Sequence, residues 1–160
     1  IGQLYRALGC NILMENPAIF TPIPDQDMSE PEFFNQLYSD LGCGMLLDLH
    51  NLYVCSCNWG LDPHDYLSSL DPDCVKEIHI AGGDRMGDFY TDSHSQITPV
   101  EVWELAYEWL PNFKQVRSLV FEFHESYFER LGIKRLTHEL ERMHDLAEKM
   151  VSDGVKYYVN

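Results

Sequence analysis

Four times along this chain a short, continuous apolar run ends in a carboxylate or an imidazole. Met45-Leu46-Leu47 leads into Asp48, within a stretch from Met45 to Val54 that reads as one buried strand with an acid, a histidine and an amide towards its exit. Ile12-Leu13-Met14 leads into Glu15-Asn16-Pro17, Val75-Lys76-Glu77-Ile78 into His79, and Leu119-Val120-Phe121 into Glu122. A carboxylate that follows such a run is costly to desolvate unless a cation or hydrogen-bond donors meet it there. The repetition therefore constrains both the fold and what the fold carries.

Helical signals separate the runs. Ser29-Glu30-Pro31-Glu32 has capping-box spacing with proline in the first turn, and Phe33, Phe34, Leu37, Tyr38 and Leu41 then recur on one helical face before Gly42. Cys55 to Leu61 reads as the exit loop of the second strand, and Asp62-Pro63 opens a short helix to Leu70. Pro99 opens another, burying Val102, Trp103, Leu105, Ala106, Trp109 and Leu110 before Pro111. A loop from His124 to Gly132 precedes the last helix, Lys134 to Val151, with Leu136, Leu140, Met143, Ala147 and Met150 inward. Leu4, Leu8 and Gly9 read as the final turns of a helix that begins before Ile1, with Gly9 at its left-handed stop. Ala81 to Ser95 has no hydrophobic period, and so long a loop in a compact domain reads as functional.

The element order β-α-β-α-β-α-β-α, with continuously apolar strands, is the signature of a parallel sheet with crossover helices. Four such units are half of a (β/α)8 barrel, whose usual size is about 250 residues. A lone half exposes two sheet edges, which folded proteins avoid. The expectation is an α/β chain in which residues 1–151 form the C-terminal half of a (β/α)8 TIM barrel and 152–160 a short tail. The other half is then supplied by the same parent chain, another chain or a second copy.

In parallel α/β folds ligands bind at the carboxyl ends of the strands. Glu15, Asp48, His79 and Glu122 fall there, and Asn51, Asp92 and His94 lie in the adjoining segments. Asp92-Ser93-His94 has the spacing that points two side chains one way on an extended chain. Singly, each has an ordinary role open to it: His79 as a hydrogen-bonded core histidine, Glu15 as a turn cap, Glu122 as the partner of an arginine. Four at one edge of consecutive units is more than packing demands. The mixture of oxygen and nitrogen donors suits Fe(II), Mn(II), Co(II) or Zn(II) better than calcium, and so many donors point to two or three ions. The roles of His50 and His124 stay open, and His64, His138 and His144 lie on helices away from that edge.

Composition narrows the partners. Lys and Arg number 11 against 26 Asp and Glu, a net charge of −15, which disfavours nucleic acid and anionic membrane. No apolar run approaches the roughly 20 residues that span a bilayer and no signal peptide opens the chain, so the cytoplasm is the expected compartment. The five cysteines are odd in number and lack a C-x-x-C pair, which favours reduced, buried thiols, with Cys55 and Cys57 in ordinary loop packing.

The ordered series Met14-Glu15-Asn16-Pro17, Leu47-Asp48-Leu49-His50-Asn51-Leu52-Tyr53-Val54, Glu77-Ile78-His79-Ile80-Ala81-Gly82, Thr91-Asp92-Ser93-His94 and Phe121-Glu122-Phe123-His124-Glu125 resembles the multinuclear non-heme iron-dependent oxidative enzymes, the family of the methanobactin-biosynthesis oxidase. The resemblance runs from Cys10 to Val151. It implies a xylose-isomerase-type barrel, two or three irons with manganese or zinc as alternatives, and O2-dependent modification of cysteine or other residues in a ribosomally made precursor peptide. A companion protein typically presents that peptide. Carried over residue by residue, Glu15 bridges irons, Asp48, His79 and Glu122 complete one centre, and Asn51, Asp92 and His94 belong to the neighbouring iron. Two positions depart: Gly83 stands where the family commonly has a second histidine, and His124 where it commonly has an aspartate.

Two other function classes fit the residues. A divalent-metal isomerase, epimerase or phosphodiester-cleaving hydrolase on a similar barrel would use the same side chains with metals as Lewis acids. A non-catalytic half-barrel fragment would keep them as a relic.

Overall fold

The computed structural model describes residues 1–8 and 10–152. The expected stop at Gly9 and the tail from residue 153 onward lie outside the described residues. Helix α1 (Gly2–Leu8) is followed by β1 (Leu13–Glu15), α2 (Glu30–Leu41), β2 (Gly44–Asp48), α3 (Leu49–Trp59), α4 (Pro63–Ser69) and β3 (Val75–Ala81). A small hairpin, β4 (Arg85–Met86) and β5 (Phe89–Tyr90), then leads to α5 (Val100–Trp109), β6 (Ser118–Glu122) and α6 (Phe128–Ser152). Strands β1, β2, β3 and β6 form one parallel sheet in that order. Consecutive βα units laid side by side produce this order, and it is consistent with part of a barrel.

Register places the candidate ligands. Asp48 pairs with His79, Ala81 with Glu122, and Glu15 with Leu46. Registered neighbours in a sheet point to the same side, and side chains alternate along a strand with period two. Leu46 shares a face with Asp48 and Ala81 with His79, so Glu15, Asp48, His79 and Glu122 all project from one face. The opposite face carries Met45, Leu47, Ile78 and Ile80, fully buried in a core with Phe34, Leu67, Trp103 and Leu146. Helices thus pack on that side, while Leu46 and Val120 on the ligand side are half-buried. In a barrel the ligand side is the interior.

Several local expectations are corrected. The strand expected over Met45–Val54 stops at Asp48, and the loop expected from Cys55 is helix through Trp59. Asp48 is the reason: its backbone is extended and its carboxylate accepts a 2.8 Å bond from the Asn51 amide, which starts α3. Helix α3 buries Leu49, His50, Asn51, Leu52, Val54 and Cys55, so no polar stripe announces it in the sequence. Gly60, with φ 78°, closes it. In α6 the helix begins at Phe128 and is interrupted at Gly132 (φ 72°, ψ 151°). Leu140, expected inward, is 56% exposed, and Leu146 is buried instead. The inward position of that turn belongs to Glu139, whose Oε2 accepts from Thr98 N and Trp103 Nε1, both at 3.2 Å. Phe33 and Leu41 of α2 are likewise exposed while Phe34 carries the contact. All five cysteines are free, but Cys10 is exposed and Cys57 half-buried. No helix among the described residues is long and apolar enough to cross a membrane.

Removing the Glu139 carboxylate leaves two interior N–H donors without an acceptor, which costs about 1–3 kcal/mol for each buried orphan. Urea denaturation of Glu139→Ala is expected to show a loss in that range, with Glu139→Gln in between.

Candidate metal centre

The four strand ends converge as the register requires. The donor atoms of Glu15, Asp48 and His79 lie within 4.8 Å of one another, and so do those of His50, Asp92 and His94. Glu122 stands between the groups, with Oε1 3.1 Å from His79 Nδ1 and Oε2 3.7 Å from His94 Nδ1. Asn51 reaches Glu15 through Nδ2 at 3.4 Å. All seven residues expected as ligands, Glu15, Asp48, Asn51, His79, Asp92, His94 and Glu122, are thus gathered at one end of the sheet. His124 is not: it is exposed, and its Nδ1 caps the turn after β6 at Ser126, Oγ at 2.7 Å and N at 3.3 Å.

Three polar atoms aimed into this region are buried without a hydrogen bond: Asp48 Oδ2, Asn51 Oδ1 and His79 Nδ1. Asp48 is only 1% exposed and His79 9%. His79 Nδ1 is close to Glu122 but out of alignment for a hydrogen bond, while its Nε2 meets Glu77 at 2.9 Å. A ligating imidazole usually donates its other N–H to a carboxylate, which fixes the tautomer and leaves the first nitrogen's lone pair for the ion. The orphaned oxygen, carbonyl and nitrogen fit a divalent cation that accepts O and N donors.

Two contributors, Glu77 and Asn16, escaped the sequence reading, and a third, His50, had its role left open there. Glu77 orients His79 from two residues away on the same strand face, a period-two signal that Glu77-Ile78-His79 displays. Asn16 is fully buried and clamps the Asp48 backbone, accepting from its N–H at 2.8 Å and donating to its carbonyl at 2.9 Å. His50 meets Asp92 at 3.0 Å. No spacing rule links Asn16 or Asp92 to their partners, which lie 32 and 42 residues away.

The segment carrying Asp92 and His94 is not a simple extended strand. His94 adopts a left-handed backbone (φ 51°), uncommon outside glycine, and this turns its Nε2 to within 2.8 Å of Asp92 Oδ1. The approach of this loop to β3 depends on Gly82 and Gly83. A Cβ on Gly82 would collide with the Ile97 carbonyl oxygen and one on Gly83 with that of Thr91.

Electrostatics follow from burial and pairing. Burial raises Asp48 to about 7, more than the Asn51 amide bond lowers it. For His79 burial favours the neutral ring, but Glu122 and Glu77 outweigh it and hold the value at about 9. Burial pushes Asp92 up, yet its bonds to His50 and His94 bring it well below the usual carboxylate range. The bond to Asp92 raises His94, the His79 ring beside it lowers Glu122, and burial raises Glu15. A cavity of about 430 Å³, lined by Glu15, Pro17, Ala18, Phe20, Asn51 and Asp92, opens beside the ligands. Phe20 and Phe89 meet edge to face at its mouth, ring centres 6.5 Å apart, and both are exposed.

Comparison with known families places these residues in context. The family model of the RiPP precursor modification enzyme MbnB/TglH/ChrH matches residues 1–148. The chain belongs to this family. Relatives of this chain include a UPF0276 protein of Chromobacterium violaceum, 42% identical over 64% of this chain and 37% of the relative. UPF0276 proteins of Anaeromyxobacter sp. (33% identical, 74% of this chain, 42% of the relative) and Acaryochloris marina (36%, 75% and 44%) are similar as well. The chain therefore spans roughly two fifths of the length of the curated relatives it matches.

Asp48 and His79 both have folded-state values above their ordinary ones, so each favours folding most at low pH. The Asp48 contribution is full below about 4 and is lost as pH rises through about 7. That of His79 is full below about 6.5 and is lost as pH rises through about 9. The metal-free protein is expected to melt at progressively lower temperature from pH 5 to pH 9, and Asp48→Asn to flatten the lower part of that decline, by calorimetry across the pH series.

Proposed function

We propose that this chain is the ligand-bearing half of an iron- and O2-dependent enzyme that oxidatively modifies a ribosomally made peptide at cysteine. The observation that carries the reading is the convergence of Glu15, Asp48, Asn51, His79, Asp92, His94 and Glu122 at one sheet edge, with orphaned donor atoms at Asp48, Asn51 and His79. Family membership supplies the peptide as substrate class.

In this reading Asp48, His79 and Glu122 would hold one iron and Asn51, Asp92 and His94 a second, with Glu15 as a further ligand of the cluster. Bound iron supplies electrons and open coordination positions for a substrate thiolate and O2. The chain's own residues do the rest. Glu77 and Asn16 fix the His79 ring and the Asp48 backbone, so that the donors are held in place before substrate arrives. Four carboxylates at the cluster, Glu15, Asp48, Asp92 and Glu122, balance the charge of more than one cation. The cavity beside Glu15 and Asp92 takes the reacting residue, and Phe20 with Phe89 packs an apolar neighbour in the peptide.

The edges of the sheet, β1 and β6, are completed in this reading by the remaining units of a xylose-isomerase-type (β/α)8 barrel. Apolar side chains are exposed on α2 (Phe33 and Leu41) and on α6 (Ile133 and Leu140), and the curated relatives are more than twice as long as their match to this chain. A companion protein presenting the precursor remains part of the proposal.

The deciding experiment is metal analysis of the full-length parent protein purified without oxygen, followed by O2 uptake with a cysteine-bearing precursor. At least one iron per chain and peptide-dependent uptake are expected; zinc alone, with turnover of a sugar or phosphodiester, would sink the reading. Phe20→Ala is expected to raise the KM for peptide several-fold while iron content stays unchanged, measured by steady-state kinetics beside metal analysis.

A further inference from the structure

The chain places another imidazole, His50, against the candidate centre, with its hydrogen-bonded nitrogen facing a carboxylate of the ligand set itself. His50 is 0% exposed. Its Nδ1 lies 3.0 Å from Asp92 Oδ1, and its Nε2 is buried without a partner. The ring is held on several sides: edge-on to Tyr90 at 5.8 Å, edge-on to His94 at 6.3 Å, and with Cε1 3.2 Å from the point a Cβ on Gly83 would occupy. It fills the space that a side chain at residue 83 would take.

A neutral imidazole carries one N–H. If His50 bound a cation through Nδ1, the proton would sit on Nε2, an interior donor with no acceptor, and orphaned buried N–H groups are rare. With the proton on Nδ1 the hydrogen bond to Asp92 is made and only a lone pair is left without a partner. His79 is also carboxylate-backed with its other nitrogen unpaired, but its bonded nitrogen meets Glu77, outside the ligand set, and its unpaired Nδ1 lies 3.1 Å from Glu122, whereas the bonded nitrogen of His50 meets Asp92, itself in the ligand set. His94 faces the same Asp92 oxygen at 2.8 Å through Nε2 and turns Nδ1 towards Glu122, as a ligand shared between the groups would.

We propose that His50 is a positioning residue, one that donates its Nδ1–H to Asp92 and fixes the direction of that carboxylate for a divalent cation held by Asp92 and His94, without binding the cation itself. The inference rests on the metal-centre reading above and concerns one residue within it. The N–H of His50 occupies one acceptor direction of Asp92 and leaves the remaining lone pairs to the ion. Loss of such an outer-shell donor typically weakens metal binding by about 10–100-fold.

The test uses the full-length parent protein and the variants His50→Ala and His50→Asn, loaded with Fe(II) and, as a spectroscopic stand-in, Co(II). Asparagine keeps an N–H donor near the position of Nδ1 but has no ring nitrogen. The expected result is that His50→Ala loses one class of bound ion with about 10–100-fold weaker affinity, while His50→Asn restores binding and the Co(II) absorption spectrum. Melting of the metal-free variants separates this from a packing role, because a loss that came from the missing ring alone would be shared by both. Three results would overturn the proposal: unchanged affinity in His50→Ala, His50→Asn binding as poorly as His50→Ala, or an anomalous-scattering peak within about 2.1 Å of a His50 nitrogen. A wild-type protein that binds no cation refutes the metal-centre reading itself, a different failure from a wild type that binds cations and does not need His50.

Discussion

Everything at the carboxyl edge of this sheet is arranged around a carboxylate taken out of water. Asp48 follows Met45-Leu46-Leu47 into the interior, where an ionised group without partners is strongly disfavoured. One of its oxygens is met by the Asn51 amide, and the backbone on either side is held by the Asn16 carboxamide. The second oxygen has no hydrogen-bond partner among the described residues. In the proposed reading a cation meets that oxygen, which would relieve the same desolvation that raises Asp48 to about 7.

The same residue joins local structure to the site. By capping α3, Asp48 ends β2 and turns the next segment back across the strand ends, which carries His50 and Asn51 to the centre. The loop after β3 brings the other donors. Its entry at Gly82-Gly83 allows two backbone segments to touch, and its outer side is tied down where Asp84 accepts from Gln96 Nε2 at 3.0 Å and Arg130 Nη2 at 2.8 Å. Helix α6 thereby supports the loop that holds Asp92 and His94. The pattern is a rigid sheet that sets first contacts and a pinned loop that completes them.

Much of this was legible along the chain because β-strands and capping boxes write their geometry locally. Each apolar run ended where a ligand type stood, and period two then put Glu15, Asp48, His79 and Glu122 on one face. The capping box at Ser29 to Glu32 was equally readable. What failed did so for physical reasons. Helix α3 was hidden because burial on nearly every side removes the polar stripe that a helix normally shows. Leu140 was misplaced because Glu139 takes the inward position through two hydrogen bonds to residues near α5. His124 looked like a ligand by its neighbours, yet its own side chain closes the following turn.

By itself the sequence determined which residue types stand at the strand ends, the parallel α/β character of the chain, and the mixture of O and N donors offered at one edge. Those properties follow from short-range patterns, namely the continuity of apolar runs and their period. Only the tertiary structure decided which donors meet, that His79 is backed by Glu77 and His50 by Asp92, and that Glu122 lies between two groups. Those choices depend on strand register and on a loop admitted by two glycines, and contacts across 32 to 42 residues leave no mark on local spacing.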